Sequence, residues 1–321
     1  GSQTRFEQIV HGGDVVFATS TPLTIALPGV YAASRLKVPM VFEVRDLWPE
    51  VPIALGYLNN PVLRWAARWL ERFAYDHASA IVALSEGMAD GVGAAGFPRE
   101  RVHVIPNSSD LELFAHDGGG ASRFRVAHPE IGNRPIVLYP GALGVVNDVS
   151  YLARLAHSLL ELMPEACIVV VGDGAEKEKV RLAAAGLGVL GTNFFQYEAV
   201  PKRDLVDAFS AAAVIVSCAV DKPALRANSA NKFFDALASG TPVAVNYGGW
   251  QAELVDETGI GLVLPADAQA AAPLLSALLQ DEHRLACSGK RARELAETRF
   301  ARDDLAKHLE EVLLASVRGN R

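Results

Sequence analysis

Apolar residues recur along this chain in two alternating patterns: short β-branched runs, and longer Ala- and Leu-rich stretches with a helical repeat. In the first half, runs at 14–18, 40–43, 80–84 and 102–105 predict strands, with helices over 23–35, 61–75 and 87–95. The stretch 115–127 carries Gly118, Gly119 and Gly120 in a row, breaks both periodicities and predicts a linker. A second cycle follows, with strands at 136–139, 166–171, 194–196, 214–218, 242–246 and 261–264. Its helices are predicted near 149–162, 176–184, 202–211, 231–238 and 269–279. Strands alternating with helices specify parallel sheets covered by helices, so the class is α/β with doubly wound lobes. The expected division is a first lobe at 1–116, a linker at 117–130, a second lobe at 131–289 and a helical segment at 290–321. That last segment has no strand to feed and is expected to pack across both lobes. Two lobes facing each other would hold a ligand beyond the carboxyl ends of their strands.

At 321 residues the chain is long enough for two domains of roughly 150 residues each. Half of it is hydrophobic and 21% is charged, which excludes intrinsic disorder. No apolar run approaches the roughly 20 residues of a spanning helix. The 30 basic and 37 acidic residues leave a net charge of −7, which argues against nucleic acid as a partner. Cys167, Cys218 and Cys287 lie far apart, and the first two stand in apolar runs. That predicts buried thiols, a reducing cytoplasm and no cysteine metal site. His11, His77, His103, His116, His128, His157, His283 and His308 show no metal-ligand spacing, so neither metal nor cofactor is expected. Gly1-Ser2 reads as an expression remnant and no secretion signal follows it.

The segment 228–243 is the richest in candidate chemistry. Asn228 and Ser229 are good N-cap residues, and Gly240 followed by Pro242 predicts the helix end. Asn228, Lys232 and Asp235 fall at i, i+4 and i+7 on one face, while Phe233, Phe234 and Leu237 supply the packing face. Free N–H groups at a helix start, two Asn side chains and a Lys suit a phosphate, and an Asp one turn later suits ribose hydroxyls. The alternative is a surface helix with a local Lys–Asp pair.

Within Arg64-Trp65-Ala66-Ala67-Arg68-Trp69-Leu70-Glu71-Arg72-Phe73, three aromatics recur every four residues, with arginines repeating beside them. On a helix this is an aromatic stripe flanked by a basic one. Either the aromatics pack on a sheet and the arginines are solvated, or the face docks on an anionic membrane.

Several motifs occur in order over nearly the whole chain. They are Glu43-Val44-Arg45-Asp46-Leu47-Trp48-Pro49-Glu50, Leu84-Ser85-Glu86-Gly87, Val104-Ile105-Pro106-Asn107 leading to Asp110 and Phe114, Gly172-Asp173-Gly174, and the 228–243 segment. In these the chain resembles the family-4 retaining glycosyltransferases of GT-B fold, and among them the bacterial branch that builds surface polysaccharides and O-antigens. The resemblance implies two Rossmann-like lobes facing across a cleft, with the donor in the second and a C-terminal helix crossing back to the first. It also implies metal-independent transfer from a nucleotide diphosphate sugar, most often a UDP-sugar, to a glycan acceptor that is polyprenyl-linked in that branch. The protein is then expected in the cytoplasm, peripheral on the inner membrane. The first lobe of such enzymes opens with a strand and a Gly-rich loop that are not found here, so this lobe is expected to be incomplete at its N-terminus.

Residue by residue, the family's acidic pair, eight positions apart, contacts donor sugar and ribose. Asp235 matches the second member; the first falls on Ala227, beside which Arg226 or Asn228 would have to compensate. The loop Gly141-Ala142-Leu143-Gly144-Val145-Val146-Asn147 lacks the Arg/Lys pair that the family often places there. That leaves Lys232 as the leading diphosphate ligand, with Lys202 and Arg226 in reserve, while Gly141 and Gly144 let the backbone approach the donor. Gly172-Asp173-Gly174, a simple turn on spacing alone, would border the nucleotide, and Asn147, Ser229 and Asn231 complete the expected donor set. In the first lobe Asp46 matches the acidic member of a family His-Asp pair and Arg45 replaces the His, a structural Arg–Asp pair being the alternative. Ser85 and Glu86 either cap a helix or touch substrate. Two other readings stay open: a non-catalytic nucleotide-sugar-binding protein, and a UDP-amino-sugar epimerase of the same fold.

Overall fold

The computed structural model describes residues 12–108, 110–115 and 118–319, so His11, His116 and the Gly1-Ser2 reading lie outside the described residues. One sheet contains β1 (Val16–Thr19), β2 (Met40–Val44), β3 (Ala80–Ala83) and β4 (Val102–Val104), in that order. The other contains β5 (Ile136–Pro140), β6 (Cys167–Val171), β7 (Phe194–Tyr197), β8 (Val214–Ser217), β9 (Val243–Val245) and β10 (Gly261–Val263), in the order β10-β9-β8-β5-β6-β7. All the pairings are parallel, as the β-branched runs separated by helices required.

The chain forms two compact units. The first is built from the chain up to Pro106, with Ala224–Ser229 and the chain from Asp303 onward; the second from Asn107–Pro223 and Ala230–Arg302. In the first, Ala18, Met40, Phe42, Val44, Ile81 and Ala83 meet Ala26, Val30, Ala74 and Met88 from the helices on one face of the sheet. On the other face Val41, Val82 and Ile105 pack with Leu305, Leu309 and Val312. The second unit buries both faces of its sheet: Val137, Tyr139, Ile168 and Val170 on one, Ile136, Leu138, Val169 and Ile215 on the other. Cys167 and Cys218 are buried and free, as their apolar runs predicted.

Two expectations are corrected, and two helices lie where none is predicted. The stretch expected as a linker holds the helix Gly120–Ala127, whose Phe124 is buried in the second unit and whose Arg123 meets Asp207 at 2.6 Å. Only the glycines at its start are linker-like; Phe124 gives the rest an apolar anchor. The helical segment expected at 290–321 is two helices, Glu282–Arg299 and Arg302–Gly319, the first starting earlier than expected and the two broken where Phe300 turns in against Phe234 at 5.2 Å between ring centroids. The helices Glu50–Ala54 and Trp250–Thr258 were hidden from the pattern, the first by Pro52 and the second by Gly248 and Gly249 just before it.

Candidate functional site

In the second unit the strand order reverses between β5 and β8, which are neighbours although two strands separate them in sequence. In open α/β sheets such a reversal leaves a crevice at the carboxyl ends of the strands, because the flanking connections run to opposite faces. The loops that open there follow β5 and β8, and they carry most of the second-lobe candidates.

The loop after β5 is shaped by glycines of two neighbouring loops. A side chain at Gly172 would put its Cβ 1.8 Å from the Gly141 carbonyl oxygen, and one at Gly174 would put it 2.5 Å from the Leu143 oxygen. The loops after β5 and β6 are thus stacked backbone on backbone, tied by Leu143 N–H donating to Asp173 O at 2.8 Å and Glu176 N–H to Leu143 O at 2.8 Å. Gly141 has φ of +140°, and a Cβ on it would lie 3.1 Å from Lys232 Cε. Asn147 donates its amide to Ala142 O at 2.8 Å, closing the loop on itself.

The helix Asn231–Ser239 follows the β8 loop and ends at Gly240, whose φ of +66° is the left-handed cap expected from the sequence. Phe233, Phe234, Ala236 and Leu237 bury its inner face. The helix is pressed against Glu282–Arg299, where Gly289 allows contact with the Gly240 carbonyl and Arg293 donates to Ala238 O at 2.5 Å. Its start differs from expectation. The N-cap is Ala230, with no side-chain cap, and Asn228 and Ser229 belong with Arg226 to the segment Ala224–Ser229 that groups with the first unit. Asn228 therefore does not continue the helical stripe of Lys232 and Asp235.

Those two residues also do not pair with each other. Lys232 Nζ donates to the Tyr139 hydroxyl at 2.8 Å and lies 4.2 Å from the Tyr139 ring centroid. Burial pulls the Lys232 ammonium down to about 8, the nearby Cys218 thiol opposing the shift. Asp235 instead takes Lys202, Nζ to Oδ1 at 2.8 Å, and Lys202 also lies 5.5 Å from the Phe114 ring centroid. Burial raises the Asp235 carboxyl and Lys202 counters it. Lys202 is thus committed to Asp235, and Lys232 is the cation lying against the Gly141 loop. Asp173, exposed, accepts from Gly174 N–H at 2.8 Å and has Lys177 at 3.7 Å.

In the first unit, Arg45 and Asp46 follow β2. Arg45 N–H donates to Ser20 Oγ at 2.9 Å and its guanidinium lies 3.6 Å from Glu43. Asp46 accepts from Thr21 Oγ1 at 3.0 Å; burial raises its carboxyl, against the pull of that bond and of Arg45. The loops after β1 and β2 are thereby joined. Ser85 caps the helix Glu86–Ala94 through Met88 N–H at 3.1 Å and donates to Ala227 O at 2.6 Å, while Glu86 pairs with Arg99 at 2.6 Å. Ala227 packs with the apolar cluster of this unit, and a Cβ on Gly87 would lie 3.1 Å from its own.

Comparison with known proteins decides the family. The family described as "Glycosyl transferases group 1" matches residues 121–295, and "Glycosyl transferase 4-like domain" matches residues 3–108. The chain belongs to the group 1 glycosyltransferases. Within that family it is similar to an alpha-maltose-1-phosphate synthase of Mycolicibacterium smegmatis, 28% identical over 283 residues, 84% of this chain and 69% of that protein. It is also similar to a sulfoquinovosyl transferase of Arabidopsis thaliana, 25% identical over 293 residues, covering 88% of this chain but 53% of that protein. A GDP-mannose-dependent alpha-mannosyltransferase of Mycobacterium tuberculosis is 27% identical over 252 residues, 78% of this chain and 60% of that protein. The chain thus spans from about half to about two thirds of the length of these relatives. Its fold is GT-B, matched by Anabaena HepE in complex with UDP-glucose at a TM-score of 0.80 and 19% identity, over 97% of this chain and 81% of that one.

Two features of this glycosyltransferase escaped the sequence. Tyr139 reads as one more apolar position of a strand, yet its hydroxyl receives Lys232. Glu71 reads as part of a polar face, yet it is buried beside Tyr75 at the edge of a cavity of about 430 Å³ that Glu50 and Arg68 also line. On the helix Pro61–Asp76, Phe73 turns toward the core, but Trp65 and Trp69 are 68% and 53% exposed, so the aromatic stripe does not pack on the sheet as a whole. Among the described residues no group of His, Cys, Asp and Glu is arranged to hold a metal, and no helix is long and apolar enough to cross a membrane.

Proposed function

We propose that this glycosyltransferase moves a sugar, with retention of anomeric configuration, from a UDP-sugar to a glycan acceptor, and that the acceptor is polyprenyl-linked, in bacterial surface-polysaccharide synthesis. The observation that carries the reading is Lys232, a half-buried ammonium held over the Gly141 loop at the reversal of strand order, in the first turn of a helix that no side chain caps. A leaving diphosphate develops negative charge, and a preorganised cation at a helix start stabilises it. Front-face attack would let the departing phosphate take the acceptor's proton, so the reading needs neither a dedicated base nor a metal. Gly141, Gly144, Asn147, Gly172, Asp173 and Asn231 are donor contacts in this reading, and Arg45 and Asp46 are acceptor contacts.

UDP is preferred because the similar HepE structures hold UDP or UDP-glucose; the GDP-mannose-dependent relatives make guanosine the competing base. Exposed Trp65 and Trp69 beside Arg64, Arg68 and Arg72 suit an anionic inner-membrane surface, where a lipid-linked acceptor would lie. The test is incubation with a panel of UDP- and GDP-sugars and a polyprenyl diphosphate glycan, with the anomeric product read by NMR. An α-linked product from an α-linked donor, lowered about 100-fold in kcat by Lys232→Ala, supports the reading. Epimerised donor, or donor bound and unchanged, refutes it. The second outcome would favour the nucleotide-sugar binder, a reading that rests on the apolar setting of Ala227.

A further inference from the structure

We propose that Tyr139 is a positioning residue of the donor site, its phenol oxygen holding the Lys232 ammonium against the Gly141–Gly144 loop where the diphosphate would lie. The proposal deepens the reading of Lys232 as a diphosphate ligand and rests on it. Its basis is the direction of the hydrogen bonds. Tyr139 is the next-to-last residue of β5, its ring fully buried, and its hydroxyl proton is committed to Ala142 O at 2.7 Å. That carbonyl also accepts from the Asn147 amide at 2.8 Å, so its two lone pairs are both used within the loop. A phenol has one proton. With it committed, the oxygen faces Lys232 only as an acceptor, at 2.8 Å. An acceptor of fixed direction favours ammonium over amine, and it opposes the burial that otherwise drives the proton off.

The surroundings leave the lysine little freedom. A Cβ on Gly141 would stand 3.1 Å from Lys232 Cε and 3.5 Å from Nζ, so the glycine makes room for the chain while bounding its path. The Tyr139 ring lies beneath the ammonium with its centroid at 4.2 Å, adding the attraction of its π face. One aromatic residue thus sets both the place and the charge of the cation, and links both to the loop. The loop has no arginine or lysine of its own, and this link is how the cation of the helix Asn231–Ser239 is held at it.

The test reads Lys232 directly. With eight lysines in the chain, ¹³C-lysine labelling lets each Cε be followed by NMR through a pH titration of the free protein. Tyr139→Phe keeps the ring and removes the acceptor, and the Lys232 midpoint should move down by about half to one pH unit. UDP affinity should then fall about fourfold more at pH 8.5 than at pH 6.5, following the charged fraction. Tyr247→Phe removes a neighbouring buried phenol whose hydrogen bonds go to Ser217 and Gln251 rather than to Lys232, and should move neither readout. If Tyr139→Phe does not fold, 3-fluorotyrosine at position 139, a poorer acceptor of nearly the same size, should shift the midpoint in the same direction. An unmoved Lys232 midpoint overturns the proposal, as does an affinity loss equal at both pH values. The lysine titration needs no nucleotide, so failure of UDP to bind would count against the donor reading and not against the Tyr139–Lys232 link.

Discussion

Binding a nucleoside diphosphate to this protein should take up protons. Burial pulls free Lys232 down to about 8, and an anion placed beside it reverses that shift because it favours the charged form. At pH 8 about half the free protein carries a neutral Lys232, so UDP binding should take up about half a proton, about a tenth at pH 7 and about nine tenths at pH 9. The terminal phosphate of the nucleotide, with a pKa near 6, is largely ionised over this range and adds little. Affinity should weaken about fivefold between pH 8 and pH 9 as the charged fraction falls. The unfolded lysine keeps its proton to about 10.5, so the same group makes the free protein more stable as pH rises from 8, by at most about 3 kcal/mol. Calorimetric titration in buffers of different ionisation heat measures the uptake at each pH. Heats that do not depend on the buffer at pH 8 and 9, or uptake that persists in Lys232→Met, would refute the reasoning.

Other consequences are open to simpler assays. Burial, with repulsion from Glu50, lifts the Glu71 carboxyl to about 7, so the folded protein binds more protons than the unfolded one between about 4.5 and 7, and stability falls as pH rises through that window. Glu71→Gln should raise Tm at pH 8, by at most about 3 kcal/mol in stability, and leave it nearly unchanged at pH 4.5. Gly172→Ala would set a methyl into the Gly141 carbonyl and should both lower Tm and abolish UDP binding, whereas Gly186→Ala, with open space around it, should be neutral or stabilise by about 0.5–1 kcal/mol. Replacing Trp65 and Trp69 with Ser should remove binding to vesicles rich in anionic lipid, measured by sedimentation, without changing Tm; equal sedimentation of both proteins would count against the membrane face.

Much of the fold was legible because it is written in periodicity. The ten strands among the described residues fall within a residue or two of their β-branched runs, and the helix at Lys202–Ala211 matches its predicted bounds. Where the pattern failed, a local residue overrode it. The glycines at 118–120 masked a helix that Phe124 anchors, and Phe300, reading as helical, instead turns into the core and ends one. The candidate site was legible in its residue types and in the glycine loops, which need small residues for a steric reason visible at Gly172 and Gly174. Its pairings were not. That Asp235 takes Lys202, thirty-three positions away, and that Lys232 turns to Tyr139 on a neighbouring strand follow from strand order, which no local pattern encodes. The helix start was misplaced for a similar reason: Asn228 and Ser229 have capping chemistry, but Ala230 occupies the cap.

The account rests on Lys232 as the cation of a nucleotide site, and equilibrium titration of UDP in the presence of a chelator into wild-type protein and Lys232→Ala tests it most directly. The prediction is metal-independent UDP binding, stronger than that of GDP or ADP, weakened at least about tenfold by the substitution. UDP binding equally to both proteins, or no nucleotide binding to the wild type, would contradict it.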